Sequence, residues 1–118
     1  MHKIINGWTK ESMKAAIKKY NKGYPSRTQI MKSCLYLNPE DGNRCAVGCF
    51  IPDDSDALQS FLGAHDVLII YPELKDIMPL SSVGLRFFQA IHDRYEPETG
   101  SLSLHEELFD FIDNKCTE

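Results

Sequence analysis

At 118 residues, 42% hydrophobic and 25% charged, the chain has the make-up of one globular domain, long enough to close a single core without disulfides or a structural metal. No apolar run reaches the length of a membrane span, and the opening MHKIINGWTKES lacks the apolar centre of a signal peptide. A cytoplasmic protein with four reduced cysteines is therefore expected, and membrane association is not.

The net charge of −4 conceals a split. Residues 1–32 carry eight Lys/Arg against Glu11 alone, a balance of +7, while residues 33–118 carry five against sixteen acidic residues, a balance of −11. The first helix accounts for the basic end. Thr9 is a good N-cap, Trp8 and Met13 are spaced for a hydrophobic staple, and Gly23 can end the helix. Met13, Ala16, Ile17, Tyr20 and Tyr24 share its core face, while Lys10, Lys14, Lys18 and Lys22 recur every four residues as a cationic ridge, joined by Lys19. Three readings of the ridge stay open: a solvated face, docking on the chain's own acidic remainder, or binding of an external polyanion such as nucleic acid. For nucleic acid the ridge is thin, with arginine nearly absent and no aromatics interleaved on that face.

Ser26-x-x-Gln29 is a weak capping box for a short helix ending near Ser33. The stretch Ser33 to Asp53, SCLYLNPEDGNRCAVGCFIPD, then holds three of the four cysteines and the strongest turn signal, Pro39-Glu40-Asp41-Gly42. Cys34–Leu37 and Arg44–Val47 are apolar arms on either side of that turn, which predicts a β-hairpin with Tyr36 opposite Cys45 and Cys34 near Val47. Gly48 lets the backbone bend away and Pro52 closes the segment.

Cys34, Tyr36, Gly42 and Arg44 to Asp53, with Tyr71 to Leu74 and Ile91 to Asp93 downstream, form a pattern that resembles a family of small uncharacterised proteins encoded by tailed phages and bacteria. The likeness leaves the N-terminal helix out. It implies an accessory role in phage or mobile-element biology, hence the cytosol of a host cell, and it carries no activity to individual residues.

Beyond Pro52, Asp53-Asp54-Ser55-Asp56 reads as a helix start ahead of Leu58, Phe61 and Leu62, with Gly63 as the stop; the aspartates lack the glycine and distal glutamate of a calcium loop. Val67 to Tyr71 fits a buried strand or a short helix, and the cap-like Asp66 and nearby Pro72 favour helix, with one more turn from Glu73 to Met78. The clearest helix runs from Ser81 or Ser82 to Tyr95. Gly84, Phe88, Ile91, His92 and Tyr95 share its face, with Val83 and Phe87 beside them. The last helix opens with the Ser103-x-x-Glu106 box and buries Leu108, Phe109, Ile112 and Cys116.

Three constellations bear on chemistry. Cys34, Cys45 and Cys49, with His92, His65 or Cys116 as the fourth ligand, would supply zinc with thiolates and an imidazole, although their spacing is not that of a paired knuckle; buried reduced cysteines are the other reading. Cys45 or Cys49 activated by His92, itself oriented by Asp93 or Asp66, would make a thiol nucleophile; neighbours on a helix diverge by about 100°, which places Asp93 badly for that task. Acidic clusters at Asp53 to Asp56 and Glu96 to Glu98 would engage a basic protein or imitate phosphates, or are simply solvated loops.

The expected architecture is α+β: a mainly helical single domain over residues 1–118, about five helices packed on a small β-hairpin. Its core should include Trp8, Ile17, Tyr36, Val47, Phe50, Leu62, Leu68, Phe88, Ile91, Leu108 and Ile112. The expected function is that of a non-enzymatic accessory protein binding a host protein or nucleoprotein complex. The alternatives are a small zinc-stabilised domain binding nucleic acid and a cysteine-dependent enzyme.

Overall fold

The Thr9 hydroxyl accepts from the Ser12 amide at 3.0 Å while Ser12 Oγ accepts from the Thr9 amide at 2.9 Å, a reciprocal cap that starts α1 (Lys10–Tyr20). The structure is a computed structural model that describes residues 1–27, 35–98 and 102–118. Met13 and Ile17 of α1 are fully buried, with Ala16 and Tyr20 packed beside them. The helix ends at Tyr20, before Gly23, because Asn21 turns inward and donates from Nδ2 to the Arg44 carbonyl at 2.6 Å. Tyr24 is consequently exposed and not in the core.

The predicted hairpin does not form. Its turn is present: Gly42 has φ +76°, and the Asn38 amide donates to the Asn43 carbonyl at 2.8 Å. A single antiparallel bridge, Leu37 to Arg44, follows. The chain then coils into a 3-10 turn, Val47–Phe50. The physical cause is the buried Arg44 guanidinium, which donates to the carbonyls of Gly48 (3.3 Å) and Ile51 (3.0 Å) and to Asp53 Oδ1 (2.5 Å) while lying 4.2 Å from the Tyr20 ring centre. Those contacts draw the downstream backbone back over Arg44 and prevent it from running on beside Tyr36. Cys45 to Ile51 are buried without a break, a pattern that fits a buried strand and a buried helical turn equally well. Cys34 and most of the short helix predicted over 26–33 lie outside the described residues.

The strands among the described residues are β1 (His2–Lys3) and β2 (Cys116–Thr117), which pair in parallel with His2 opposite Cys116. α2 (Ala64–Ile70) starts at Gly63, with Asp66 in its first turn and not at the cap. α3 (Ser82–Arg94) is capped by Ser81, and α4 (Leu104–Lys115) by the Ser103–Glu106 box. Asp56–Gln59 and Pro72–Asp76 are 3-10 turns. The described residues thus hold four α-helices where about five were expected. The stretch after Asp53 is too short of continuous helix to bury Phe61, which is 73% exposed.

Aromatic rings run through the core: Trp8 lies 5.2 Å from Phe50, Phe50 5.5 Å from Phe88, and Phe88 5.6 Å from Phe111. All eleven expected core residues are buried or packed against the core, Trp8, Leu62 and Ile91 being half-buried. The radius of gyration is 13.1 Å, against about 13.5 Å for a compact domain of this length.

Candidate functional site

The inner face of α3 is held by side chains that the sequence marks as chemical candidates. His92 is fully buried; its Nε2 accepts from the Ser26 amide at 2.9 Å, which leaves the proton on Nδ1, 2.9 Å from Asp93 Oδ1. Asp93 therefore does orient His92, because rotation about the two Cα–Cβ bonds closes a gap that helical divergence alone would leave open. The Arg27 guanidinium caps the same helix end through the carbonyls of His92, Asp93 and Tyr95. Gln89 Oε1 accepts from the Val47 amide at 3.0 Å, which ties the 3-10 turn to α3.

Cys45 and Cys49 are part of that packing. Cys45 Sγ accepts from the Gly48 amide at 3.4 Å, and the Cys49 thiol donates to the Cys45 carbonyl at 3.2 Å. Burial pushes the Cys49 thiol up to about 12, outweighing the opposing charge of Arg44. Such a thiol keeps its proton at neutral pH, the opposite of an activated nucleophile. Burial raises Cys116 as well. The ring nitrogens of His92 meet the Ser26 amide and the Asp93 carboxylate, and His65 and Asp66 stand exposed on α2. Among the described residues no three His, Cys, Asp or Glu side chains are grouped to hold a metal ion, and Cys34 lies outside them.

The lysine ridge is partly committed to the chain's own acidic half. Lys14 Nζ lies 2.6 Å from Asp113 Oδ1, and Lys10 Nζ donates to the Asp113 carbonyl at 3.0 Å. Lys18 Nζ stands 5.6 Å from the centre of the Phe109 ring. Lys18, Lys19 and Lys22 are exposed, whereas Lys10 and Lys14 are half-buried. α1 thus uses the first half of the ridge to pack on α4. Of the acidic clusters, Asp53 is bound by Arg44, and Asp54 and Asp56 rim a depression of about 320 Å³ together with Glu73.

A different surface has the form of a binding site. α3 is apolar on two faces: Leu85 and Phe88 are fully buried, while Val83 and Phe87 are 53% and 57% exposed. On that outer face, Phe87, Ala90, Ile91 and Arg94 meet Phe111 and Lys115 of α4 in an open groove of about 400 Å³. His2 of β1 closes it, with its ring 5.4 Å from Phe87 and 5.6 Å from Phe111. The groove continues past Phe87 and Arg94 into a depression beside Val83 and Arg86, and past Phe111 and Lys115 into one beside Glu107 and Asp110, each of about 270 Å³. Among the described residues, no carboxylate pairs with Arg86, Arg94 or Lys115. The sequence reading places Val83 and Phe87 beside the core face and passes over the arginines. The signal that finds them is the recurrence of Val83, Phe87, Ala90 and Arg94 at three- and four-residue steps, a second stripe on one helix.

No helix among the described residues is long and apolar enough to cross a membrane. Compared with known proteins, the chain matches no family model and is significantly similar to no curated protein and no solved structure.

Proposed function

We propose that this protein works by binding another protein through the outer face of α3, as a phage-encoded accessory factor directed at a protein of the bacterial host. The observation that carries this reading is the second apolar face of α3: Val83 and Phe87 each expose more than half of their surface beside an open apolar groove. A helix with one stripe in the core and another facing water has more apolar surface than its own fold uses, which is the usual mark of an interaction surface. Cys45, Cys49 and His92 support the same reading from the other side, since their buried, hydrogen-bonded arrangement suits scaffold better than catalysis. The host as the source of the partner rests on the resemblance carried by Tyr36, Gly42 and Arg44 to Asp53. Binding of nucleic acid through Lys10, Lys14, Lys18 and Lys22 is the second reading, favoured by the exposure of Lys18 and Lys22 and weakened by the use of Lys10 and Lys14 on Asp113.

Site-directed photo-crosslinking tests it. A benzophenone side chain at position 87, irradiated in bacterial lysate, should yield a discrete protein adduct that the same group at Glu11, exposed on α1, does not. Equal labelling at the two positions would refute this use of the α3 face.

A further inference from the structure

We infer that the occupant of the α3–α4 groove is an acidic amphipathic helix of the partner protein, lying with its apolar stripe on Phe87, Ile91 and Phe111 and its carboxylates toward Arg86, Arg94 and Lys115. The inference rests on the docking role of this face and adds the chemistry of what docks there. Three features of the groove select this class.

The first is charge. Arg86 and Arg94 stand along the α3 flank and Lys115 at the end of α4, and among the described residues none has a carboxylate partner. In a chain of net charge −4, most cations could find an acidic neighbour; these three border an exposed apolar groove and its continuation. A segment that fills the groove brings its own flanks within ion-pairing distance of them, and negative side chains there are favoured while positive ones are repelled. The depression beyond Lys115 carries Glu107 and Asp110, so the occupant's carboxylates lie on the side of Arg86, Arg94 and the groove face of Lys115, and its flank toward Glu107 and Asp110 is neutral or basic.

The second is shape. The groove and its two adjoining depressions share Phe87, Ala90 and Arg94 on one side and Ile91, Phe111 and Lys115 on the other, forming one trough and not a closed pocket. Val83 and Arg94 are eleven residues apart on α3, roughly 16 Å at the rise of an α-helix. That is three turns, the length over which a docked helix offers apolar anchors at i, i+3 or i+4, and i+7. The walls are side chains, those of α3 and α4 with the His2 ring at one end, which suits helix-in-groove docking and not the addition of a strand.

The third is what the trough excludes. A second copy of the chain could offer its own acidic rim of Asp54, Asp56 and Glu73, but that rim surrounds a depression and cannot fill another. Nucleic acid would find three cations and a floor of aliphatic and phenyl side chains, with acidic residues close by.

The test uses the full chain and three fluorescein-labelled synthetic peptides of about four helical turns. One has Leu and Phe at i, i+3, i+4 and i+7 with Glu on one flank, the second has Lys in place of every Glu, and the third is a scramble of the first. Fluorescence anisotropy should show saturable binding of the acidic amphipath, at least about tenfold weaker binding of the other two, and a fall in affinity as salt rises. Phe87→Ser and Arg94→Glu should each weaken it about tenfold or more at unchanged melting temperature. Lys19→Glu, exposed on a helix that does not line the trough, should leave it unchanged. Equal binding of the lysine peptide, or stronger binding of a single-stranded oligonucleotide, would overturn the inference. So would a concentration-dependent dimer in sedimentation equilibrium that Phe87→Ser dissolves. A position-87 crosslink in lysate with no binding of the acidic peptide would sink this inference alone; loss of that crosslink would sink the docking role beneath it.

Discussion

Replacing Gly48 by alanine should destabilise the protein by about 3 kcal/mol. A Cβ at this position would sit 2.2 Å from the Tyr36 carbonyl oxygen and 2.9 Å from its carbon, against ordinary contact beginning near 3.4 Å. The clash is with backbone, and that backbone is anchored: Tyr36 is buried and its hydroxyl donates to the Leu62 carbonyl at 2.5 Å. Relief must come from the 3-10 turn, which would have to withdraw by more than an ångström. Overpacking of a buried site costs about 1–3 kcal/mol, and withdrawal strains the Val47 to Gln89 hydrogen bond, worth about 1 kcal/mol more. With about 2.1 cal/mol/K of unfolding entropy per residue, 118 residues give about 0.25 kcal/mol/K, so the midpoint should drop by about 12 °C. Thermal melts followed by circular dichroism measure this directly. Gly63→Ala is the control, because its φ of −65° suits any residue and nothing lies within 4 Å of the added carbon; it should change stability by less than about 1 kcal/mol. A Gly48→Ala protein melting within about 3 °C of the parent would mean that the turn does not press on Tyr36, and the extended hairpin would have to be reconsidered.

Two further expectations concern the same region. Gln89→Leu keeps the volume of the side chain but strands the buried Val47 amide, and should cost about 1–3 kcal/mol by urea denaturation; an unchanged midpoint would show that the amide has another acceptor. Cys49 holds its proton up to about 12 when folded, whereas an exposed thiol loses it near 9, so the unfolded chain binds fewer protons between those values. Its contribution is therefore complete below pH 9 and is lost as pH rises toward 12, at up to about 1.4 kcal/mol per pH unit. Cys49→Ala should flatten that alkaline decline relative to the parent, and native Cys49 should resist iodoacetamide at neutral pH until urea unfolds the chain. Rapid alkylation of the folded protein would contradict its burial.

The starts of α1, α3 and α4 were legible because a cap is a local event. Thr9 with Ser12, Ser81 with Gly84, and Ser103 with Glu106 satisfy orphan amides within three residues, so neighbours in sequence decide the outcome. The apolar run from Cys45 to Ile51 is different. Its composition permits strand or helical turn, and the choice fell to the Arg44 guanidinium and to how closely Gly48 can approach Tyr36, contacts that exist only once the chain has folded back. The pairing of His2–Lys3 with Cys116–Thr117 joins segments from opposite ends and has no turn to announce it.

The candidate site follows the same division. Both apolar stripes of α3 can be read from residue spacing, but spacing is symmetric between them. Burial of Phe88 against Phe50 and Phe111 leaves Phe87 in the open, and only the packing of the helices around α3 decides which stripe closes the core and which remains for a partner.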